Sequence, residues 1–223
     1  MKMKMAINKT IGLALCFGLL WFPCRGRAQD KVPDLGPDGL AGLTAAQRED
    51  LASGKVVLPD EAVKTSGGTS LIEAALVFDR SPEEVWQLLS DTGLQVRYVP
   101  EVKSARIVWQ EDRENCLELT VRIMGRTVVY RMIQEFDPAG LYFHWTLDAT
   151  FRSDIKELAG FWRFYPYEGG GTLGRYGSVV KPKFPVPAFL REAIARSHVR
   201  SDLESVKKFV DSGGAWRNPE SKD

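Results

Sequence analysis

The stretch LYFHWTLD, Leu141–Asp148, alternates between apolar and polar side chains along its whole length. Successive side chains of a β-strand point to opposite faces, so this pattern predicts a strand with one apolar and one hydrated face. The stretch CLELTVRIM, Cys116–Met124, shows the same alternation. Parallel sheets are covered on both faces and have near-continuous apolar runs, whereas antiparallel sheets tolerate one wet face. The two stretches therefore predict an antiparallel sheet that buries one face.

Five further strands are expected on either side of these two. They are Ser70–Phe78, Val102–Trp109, Arg126–Phe136, Glu157–Tyr165 and Thr172–Val180. Short turns rich in Gly, Pro and Asp separate most of them, and Gly169-Gly170-Gly171 is typical of a hairpin turn. One antiparallel sheet of about seven strands is thus expected, and its apolar face requires a cover.

Helix signals lie before and after this series of strands. Ser81-Pro82-Glu83-Glu84 places Ser at the N-cap, Pro at the first helical position and two acids in the first turn, which predicts a helix directly after the first strand. A second short helix is expected over Gln95–Tyr98. Thr44 and Gln47 have the capping-box spacing, which predicts a short helix near the N-terminus. A long helix at about Ala188–Asp211 is the obvious cover for the sheet.

The long helix has two apolar stripes. Leu190 and Ile194 lie on one side, whereas Leu203 and Val206 lie on another. Since a straight amphipathic helix keeps a single stripe, we expect either a bend near Ser197-His198 or a second partner for the distal half, such as the N-terminal segment.

The order of these elements resembles the helix-grip fold of the START-like, or SRPBCC, superfamily, and particularly its polyketide-cyclase/dehydrase and coenzyme Q-binding branch. The resemblance rests on Ser81–Trp86 with Tyr98–Val102, on Gly160–Pro166 before Gly170-Gly171-Thr172, and on Pro185-Val186-Pro187 before the last helix. It covers about residues 71–210. It implies an α+β domain in which a curved antiparallel sheet of about seven strands wraps around a long C-terminal helix, with two short helices after the first strand.

The resemblance further implies a space between sheet and helix, which either holds an apolar ligand or is filled by side chains. Alternation directs nine sheet residues toward it: Val128, Tyr130, Met132, Phe143, Trp145, Trp162, Phe164, Tyr176 and Ser178. The helix contributes Leu190, Ala193, Ile194 and Ser197. A buried hydroxyl requires a hydrogen-bond partner, so the hydroxyls of Tyr130, Tyr176 and Ser178 favour a ligand polar group or trapped water. The alternative for any single one of these residues is that its side chain is simply part of the packed core.

The sequence shows no arrangement of residues that is typical of catalysis or of a metal site. Cys116 has no base nearby in sequence and is expected to be a small buried hydrophobe. The two histidines, His144 and His198, lie far apart, and the acids between residues 148 and 157 are expected to be solvated loop charges. Metal sites need several ligands at short spacing. We therefore expect no cofactor and no metal.

The leading functional hypothesis is a binding protein that holds a lipid or other hydrophobic small molecule. One alternative is a cyclase or aromatase that acts on a polyketide-like substrate through Tyr130, Tyr176 or Arg131. Such an enzyme needs a positioned acid/base pair, and the sequence reveals only hydroxyls. Another alternative is an interaction module in which Trp145 and Trp162 fill the core.

The first thirty residues have the order of a secretory signal peptide. The apolar run Ile11–Phe22 follows three basic residues, Lys2, Lys4 and Lys9. After the run, Gly26-Arg27-Ala28 has the small-x-small pattern of a cleavage site. A run of about a dozen residues is shorter than the roughly 20 that span a membrane. We expect cleavage after Ala28 and a periplasmic or secreted protein; an uncleaved anchor is the alternative.

Removal of this peptide would leave 25 basic and 29 acidic residues, a net charge of −4 in place of +1. A mildly acidic chain without a basic block is unsuited to nucleic acid. The expected organisation is a signal peptide (residues 1–28), an N-terminal lead-in that begins as a flexible segment and includes the short helix and a short strand at Lys55–Leu58 (29–69), a START-like domain (70–212) and a flexible tail (213–223). The expected partner is a hydrophobic small molecule or lipid, while transient membrane contact and oligomeric state stay open.

Overall fold

One curved antiparallel sheet organises the protein in the computed structural model, which describes residues 34–59, 63–64, 70–123, 125–184 and 188–221. For residues 63–64, 70–71, 123 and 188–198 it describes the backbone alone. Eight strands lie within these residues: β1 (Val63–Lys64), β2 (Ser70–Phe78), β3 (Val102–Gln110), β4 (Glu114–Ile123), β5 (Arg126–Asp137), β6 (Tyr142–Leu147), β7 (Ile155–Pro166) and β8 (Thr172–Pro182). Their order across the sheet is β1-β2-β8-β7-β6-β5-β4-β3. The seven expected strands are confirmed, with a two-residue β1 added at one edge.

Four α-helices lie within the described residues, and the first two begin where the capping signals predict. They are α1 (Ala45–Ala52), α2 (Pro82–Ser90), α3 (Gln95–Tyr98) and α4 (Ala188–Asp211). Thr44 caps α1 and Ser81 caps α2, each through a reciprocal capping box with the residue three positions on. These boxes satisfy backbone N–H groups that have no partner inside the helix. The helix-grip order is therefore confirmed.

The distal half of α4 packs into the main core. Leu203 and Val206 are buried there, and the rings of Tyr98 and Phe209 lie 4.5 Å apart. Of the two expected alternatives, the second is observed: α4 is assigned as one continuous helix, and its distal half has further packing partners. The second stripe packs on β2 and the short helices α2 and α3. The side chains of the first stripe, Leu190 and Ile194 among them, lie outside the described residues.

The outer face of the sheet is covered where β2, β8 and β7 run side by side. Phe161, Tyr165 and Leu173 point outward there and are buried. Leu35 and Leu51 of the N-terminal segment, residues 34–58, are buried as well. The segment that we expected to begin as a flexible lead-in is thus docked from residue 34 onward. The expectation of a wholly wet outer face is wrong here, because this segment supplies a second apolar layer.

Arg175 on β8 binds this N-terminal segment through hydrogen bonds. Its side chain is only 2% exposed and donates hydrogen bonds to the carbonyl oxygens of Gly39, at 2.6 Å, and Ala41, at 3.1 Å. A further hydrogen bond of 3.2 Å reaches Glu73 on β2. Gly39 lies against the Tyr165 ring, where a Cβ atom would come within 2.5 Å of the ring, so this close approach requires glycine.

The C-terminal segment after α4 is also docked, although the sequence favoured a flexible tail. The backbone N–H of Asn218 donates to the Arg97 carbonyl at 2.8 Å, and the Asn218 amide donates to Ser205 at 3.2 Å. Trp216 packs against the core. None of the helices in the described residues is long and apolar enough to cross a membrane.

Candidate functional site

The inner face of the sheet has the side chains that alternation directs toward the helix. Seven of the nine sheet residues expected there are buried: Val128, Met132, Phe143, Trp145, Trp162, Phe164 and Ser178. Tyr130 and Tyr176 are half-buried. The four helix residues named with them, Leu190, Ala193, Ile194 and Ser197, have side chains outside the described residues. The sheet residues that were expected to line the pocket therefore lie together on the inner face.

A single transverse row of this surface contains most of its polar character. The strand register places Asn115 (β4), Gln134 (β5), Trp145 (β6), Gly160 (β7) and Ser178 (β8) side by side. The Trp145 indole lies across Gly160, so closely that a Cβ atom there would overlap the ring. Because Gly160 has no side chain, the Trp145 indole can lie flat against the sheet there. It separates the polar residues Asn115 and Gln134 on one side of the row from Ser178 on the other.

A second aromatic group lies beside this row. The Trp162 ring is 4.9 Å from Tyr176, 5.6 Å from Phe164 and 6.3 Å from Phe78, measured between ring centroids. Trp162 is only 7% exposed. The expectation that it is a buried anchor is confirmed.

The two inner tyrosines are deep in the protein and yet keep accessible surface. Burial raises the pKa of Tyr130, and the neighbouring Tyr176 adds to the effect. The pKa of Tyr176 is raised to about 12, chiefly by burial. A hydrogen bond with Ser178 lowers it, and the charge of Asp202 raises it. Both side chains are nevertheless half-buried rather than buried. A half-buried tyrosine on the inner face is suited to line a ligand pocket.

Asp202 and Glu101 form an acid pair beside Tyr176, and sequence reasoning missed both. Burial raises the pKa of Asp202 well above its ordinary value, and the charge of Glu101 and a side-chain hydrogen bond with it raise it further. One oxygen of the Glu101 carboxyl group is buried. Two carboxylates hydrogen-bond to each other only when one of them holds a proton. Asp202 is therefore the member of this pair that is suited to keep a proton as the pH rises.

A sequence signal for Asp202 did exist. Val199, Leu203 and Val206 form the apolar stripe of distal α4, and Asp202 lies three residues after the first and four before the last. An acid at that spacing belongs to the buried side of a helix. Glu101 gave no comparable signal, because it lies between helix α3 and strand β3, where the sequence has no periodicity.

Each of two amide side chains at the other end of the row has an oxygen atom without a hydrogen-bond partner in the described structure. The Oδ1 atom of Asn115 and the Oε1 atom of Gln134 are buried without one. Gln134 is 1% exposed and Asn115 is 3% exposed. A buried polar atom costs free energy unless it is hydrogen-bonded. This end of the row is therefore suited to a hydrogen-bond donor from a water molecule or a ligand.

Other candidates from the sequence lie elsewhere. Arg131 points to the outer face, where its Nε atom is 2.8 Å from Glu118 and its guanidinium lies 4.4 Å from the centre of the Phe151 ring. Its proposed catalytic use beside Tyr130 is therefore wrong. Cys116 is buried, and desolvation raises its thiol pKa, which fits an inert side chain. The described residues contain no group of three or more His, Cys, Asp or Glu that is arranged to hold a metal ion.

Comparison with known structures identifies the fold. A protein of Thermus thermophilus is 23% identical, with a TM-score of 0.57 over 65% of this chain and 99% of that chain. The Zhui aromatase/cyclase of a Streptomyces species is 14% identical, with a TM-score of 0.55 over 63% of this chain and 93% of that chain. A START superfamily protein of Mycobacterium smegmatis is 19% identical, with a TM-score of 0.55 over 64% of this chain and 97% of that chain.

These structural likenesses show a common fold, because all three identities are low. No protein with a curated description matches the sequence. A family model described as polyketide cyclase/dehydrase and lipid transport matches residues 71–209. That match covers more than half of the 223-residue chain, so the protein belongs to the polyketide cyclase/dehydrase and lipid transport family of the START-like superfamily.

Proposed function

We propose that this protein is an exported binding protein that holds a lipid or other hydrophobic small molecule between the sheet and its C-terminal helix. The observation that carries the proposal is the state of Tyr130 and Tyr176. Both are desolvated by the surrounding protein, and both retain accessible surface on the inner face. An internal space bordered by aromatic walls and a few polar groups is the usual form of a small-molecule site. The family description, which includes lipid transport, agrees with it.

The alternative of a filled core explains part of the same surface. Trp145 and Trp162 are 8% and 7% exposed and contact other rings, as that alternative requires. It does not explain the surface that the two tyrosines keep, nor the amide oxygens without partners at Asn115 and Gln134.

The enzyme alternative gains one supporting observation. Asp202 and Glu101 are the acid/base pair that the sequence did not reveal, and they lie beside Tyr176. A carboxyl group with a raised pKa is suited to general acid catalysis at neutral pH. A polyketide cyclase-like activity through Asp202 and Tyr176 is therefore the second candidate.

The binding proposal is tested on the protein purified without its first 28 residues. Native mass spectrometry and organic-solvent extraction should both recover a hydrophobic small molecule, or the emptied protein should take up an apolar fluorescent probe. Ser178→Phe adds bulk to the inner row and should block uptake. Thr146→Phe is the matched control, because Thr146 is exposed on the outer face of β6. A folded Ser178→Phe protein with normal uptake would contradict the proposed pocket.

Export is proposed from the signal-peptide pattern of residues 1–28, which lie outside the described residues. N-terminal sequencing of protein from the exported fraction should begin at Gln29, within a few residues. Recovery of the intact N-terminus, Met1, from a soluble cytoplasmic fraction would contradict export.

A further inference from the structure

Two amide side chains, Asn115 on β4 and Gln134 on β5, lie directly opposite each other in the strand register, and we call them the amide pair. The Cβ atoms of such a cross-strand pair are about 5 Å apart, and both side chains point to the same face. Two residues along each strand, Leu117 and Met132 form the next pair on this face and are 0% and 5% exposed. The amide pair therefore borders the apolar lining of the inner face.

The indole of Trp145 lies on the β6 side of the amide pair. Trp145 is opposite Gln134 in the strand register and is 8% exposed. Its ring extends across Gly160 on β7, away from β5. The apolar surface of the indole thus begins where the amide pair ends, and a molecule that lies against the indole can place one end at the amides.

The oxygen atoms of the amide pair lack donors in the described structure. Asn115 Oδ1 and Gln134 Oε1 are both buried without a hydrogen-bond partner. The two residues are 3% and 1% exposed, so bulk water does not satisfy these oxygens. A buried acceptor without a donor lowers stability, whereas apolar side chains of the same shape carry no such cost. Two such acceptors side by side favour a role in which a bound molecule supplies the donors.

The number of acceptors limits the donor group. One hydroxyl group donates a single hydrogen and satisfies one of the two oxygens, whereas two adjacent hydroxyl groups donate two. An ammonium group also has several hydrogens. The acids next to the pair in sequence, Glu114 and Glu135, alternate to the outer face. An ammonium charge would therefore be buried beside two neutral amides, which is costly.

We propose that the amide pair is a polar subsite of the ligand pocket, which binds two adjacent hydroxyl groups at one end of an otherwise apolar molecule. Each hydroxyl group donates to one amide oxygen, and the apolar body of the ligand lies against Trp145. The inference rests on the proposed binding function. It adds the chemical class of the ligand and assigns its recognition to Asn115 and Gln134.

Three naphthalene probes of similar shape test the proposal by calorimetric titration of the emptied protein. Naphthalene-2,3-diol has both donors, 2,3-dimethoxynaphthalene has oxygen atoms without donors, and 2,3-dimethylnaphthalene has neither. Asn115→Leu and Gln134→Met nearly keep side-chain size and remove one acceptor each. Each should weaken binding of the diol by about fivefold, and the double variant by about 25-fold. Because each probe is compared between variant and wild type, differences in hydrophobicity between the probes cancel.

The two probes without donors should bind the variants as tightly as the wild type or more tightly. Gln87→Met is the matched control, since Gln87 is an exposed amide on α2, and it should bind all three probes as the wild type does. Binding of none of the three probes to the wild type would overturn the proposed function as well. A diol that loses no more affinity than 2,3-dimethylnaphthalene would overturn only this inference.

The stability of the unliganded variants separates a ligand subsite from a structural one. Asn115→Leu and Gln134→Met remove unsatisfied acceptors, so both should unfold at the urea concentration of the wild type or above it. If a trapped water molecule already satisfies the amide pair, both variants should instead be clearly less stable. That loss, or a failure of both variants to fold, would overturn the proposal.

Discussion

A pair of ionisable side chains is buried on each face of the sheet, and the two pairs differ in charge. On the outer face, Arg175 and Glu73 have opposite charges, and Arg175 also bonds to backbone carbonyls of the N-terminal segment. On the inner face, Asp202 and Glu101 are both acids. The outer pair joins two segments of the protein. The inner pair links α4 to the segment between α3 and β3, and two acids are costly to bury together.

This contrast separates stabilising from functional burial. Opposite charges with hydrogen-bonded neighbours compensate much of their desolvation, so removing one partner is expensive. Like charges in an apolar wall lower stability and persist where a function needs a shifted pKa. Variants of the outer pair should therefore destabilise the protein, whereas neutralising Asp202 should stabilise it.

The largest expected loss comes from the aromatic group around Trp162 on the inner face. Trp162→Ala removes a buried ring that contacts Phe78, Phe164 and Tyr176. It should lower the free energy of unfolding by about 3–5 kcal/mol, as measured by urea denaturation. Arg163→Ala, one residue on and exposed, should be nearly neutral. The opposite ranking would mean that β7 is out of register by one residue.

The outer pair should produce the next largest effect. Arg175→Met leaves Glu73 buried without its partner and removes both donors to the carbonyls of Gly39 and Ala41. We expect a loss of about 3 kcal/mol and faster proteolysis of residues 34–58. Glu73→Gln still accepts from Arg175 and should cost only about 1 kcal/mol. Equal losses in the two variants would show that Arg175 does not hold the N-terminal segment.

The inner pair should respond in the opposite direction. The ordinary pKa of Asp202 is 3.8, and its folded value is raised. A raised acid pKa means that the folded state holds the proton more tightly, so the stabilisation is complete below the unfolded value and is lost as the pH rises through the folded value. Asp202→Asn has no proton to lose and can still donate to Glu101.

Asp202→Asn should therefore match the wild type near about pH 4 and exceed its stability increasingly above that. The expected gain at neutral to mildly alkaline pH is about 0.5–2 kcal/mol, measured by urea denaturation at several pH values. Glu204→Gln, exposed on the same helix, should follow the wild-type profile. Parallel profiles for Asp202→Asn and the wild type would show that Asp202 is not buried as an acid.

The same contrast explains what the sequence could and could not predict. Alternation in β4 and β6 and the cap at Ser81 are local signals, and they predicted the sheet, its inner residues and the start of α2 correctly. The cover on the outer face depends on Arg175 meeting carbonyls about 135 residues earlier in the chain, as its bonds to Gly39 and Ala41 show. The Asp202–Glu101 contact likewise joins residues about a hundred positions apart. Local periodicity has no information on such pairs.

The smallest effect is expected for the exposed ion pairs of the outer face, where Glu118 is bound by both Arg106, at 2.7 Å, and Arg131, at 2.8 Å. Arg131→Gln removes one of these bonds and the contact with Phe151. Exposed ion pairs are worth about 0.2–1 kcal/mol, and urea denaturation should show a loss in that range. Hydrogen bonds from the two arginines lower the pKa of Glu118. The difference between wild type and variant should therefore vanish as the pH falls through that lowered value, opposite to the trend at Asp202.

Arg131→Gln also distinguishes the two faces in function. Arg131 and the inner residue Tyr130 are sequence neighbours, but their side chains lie on opposite faces of β5. The variant should take up the apolar fluorescent probe as the wild type does, because its change lies on the far side of the sheet. A variant that stays folded but loses this uptake would place Arg131 in the site. Binding would then involve both faces of β5, and the separation of a stabilising outer face from a functional inner face would be wrong.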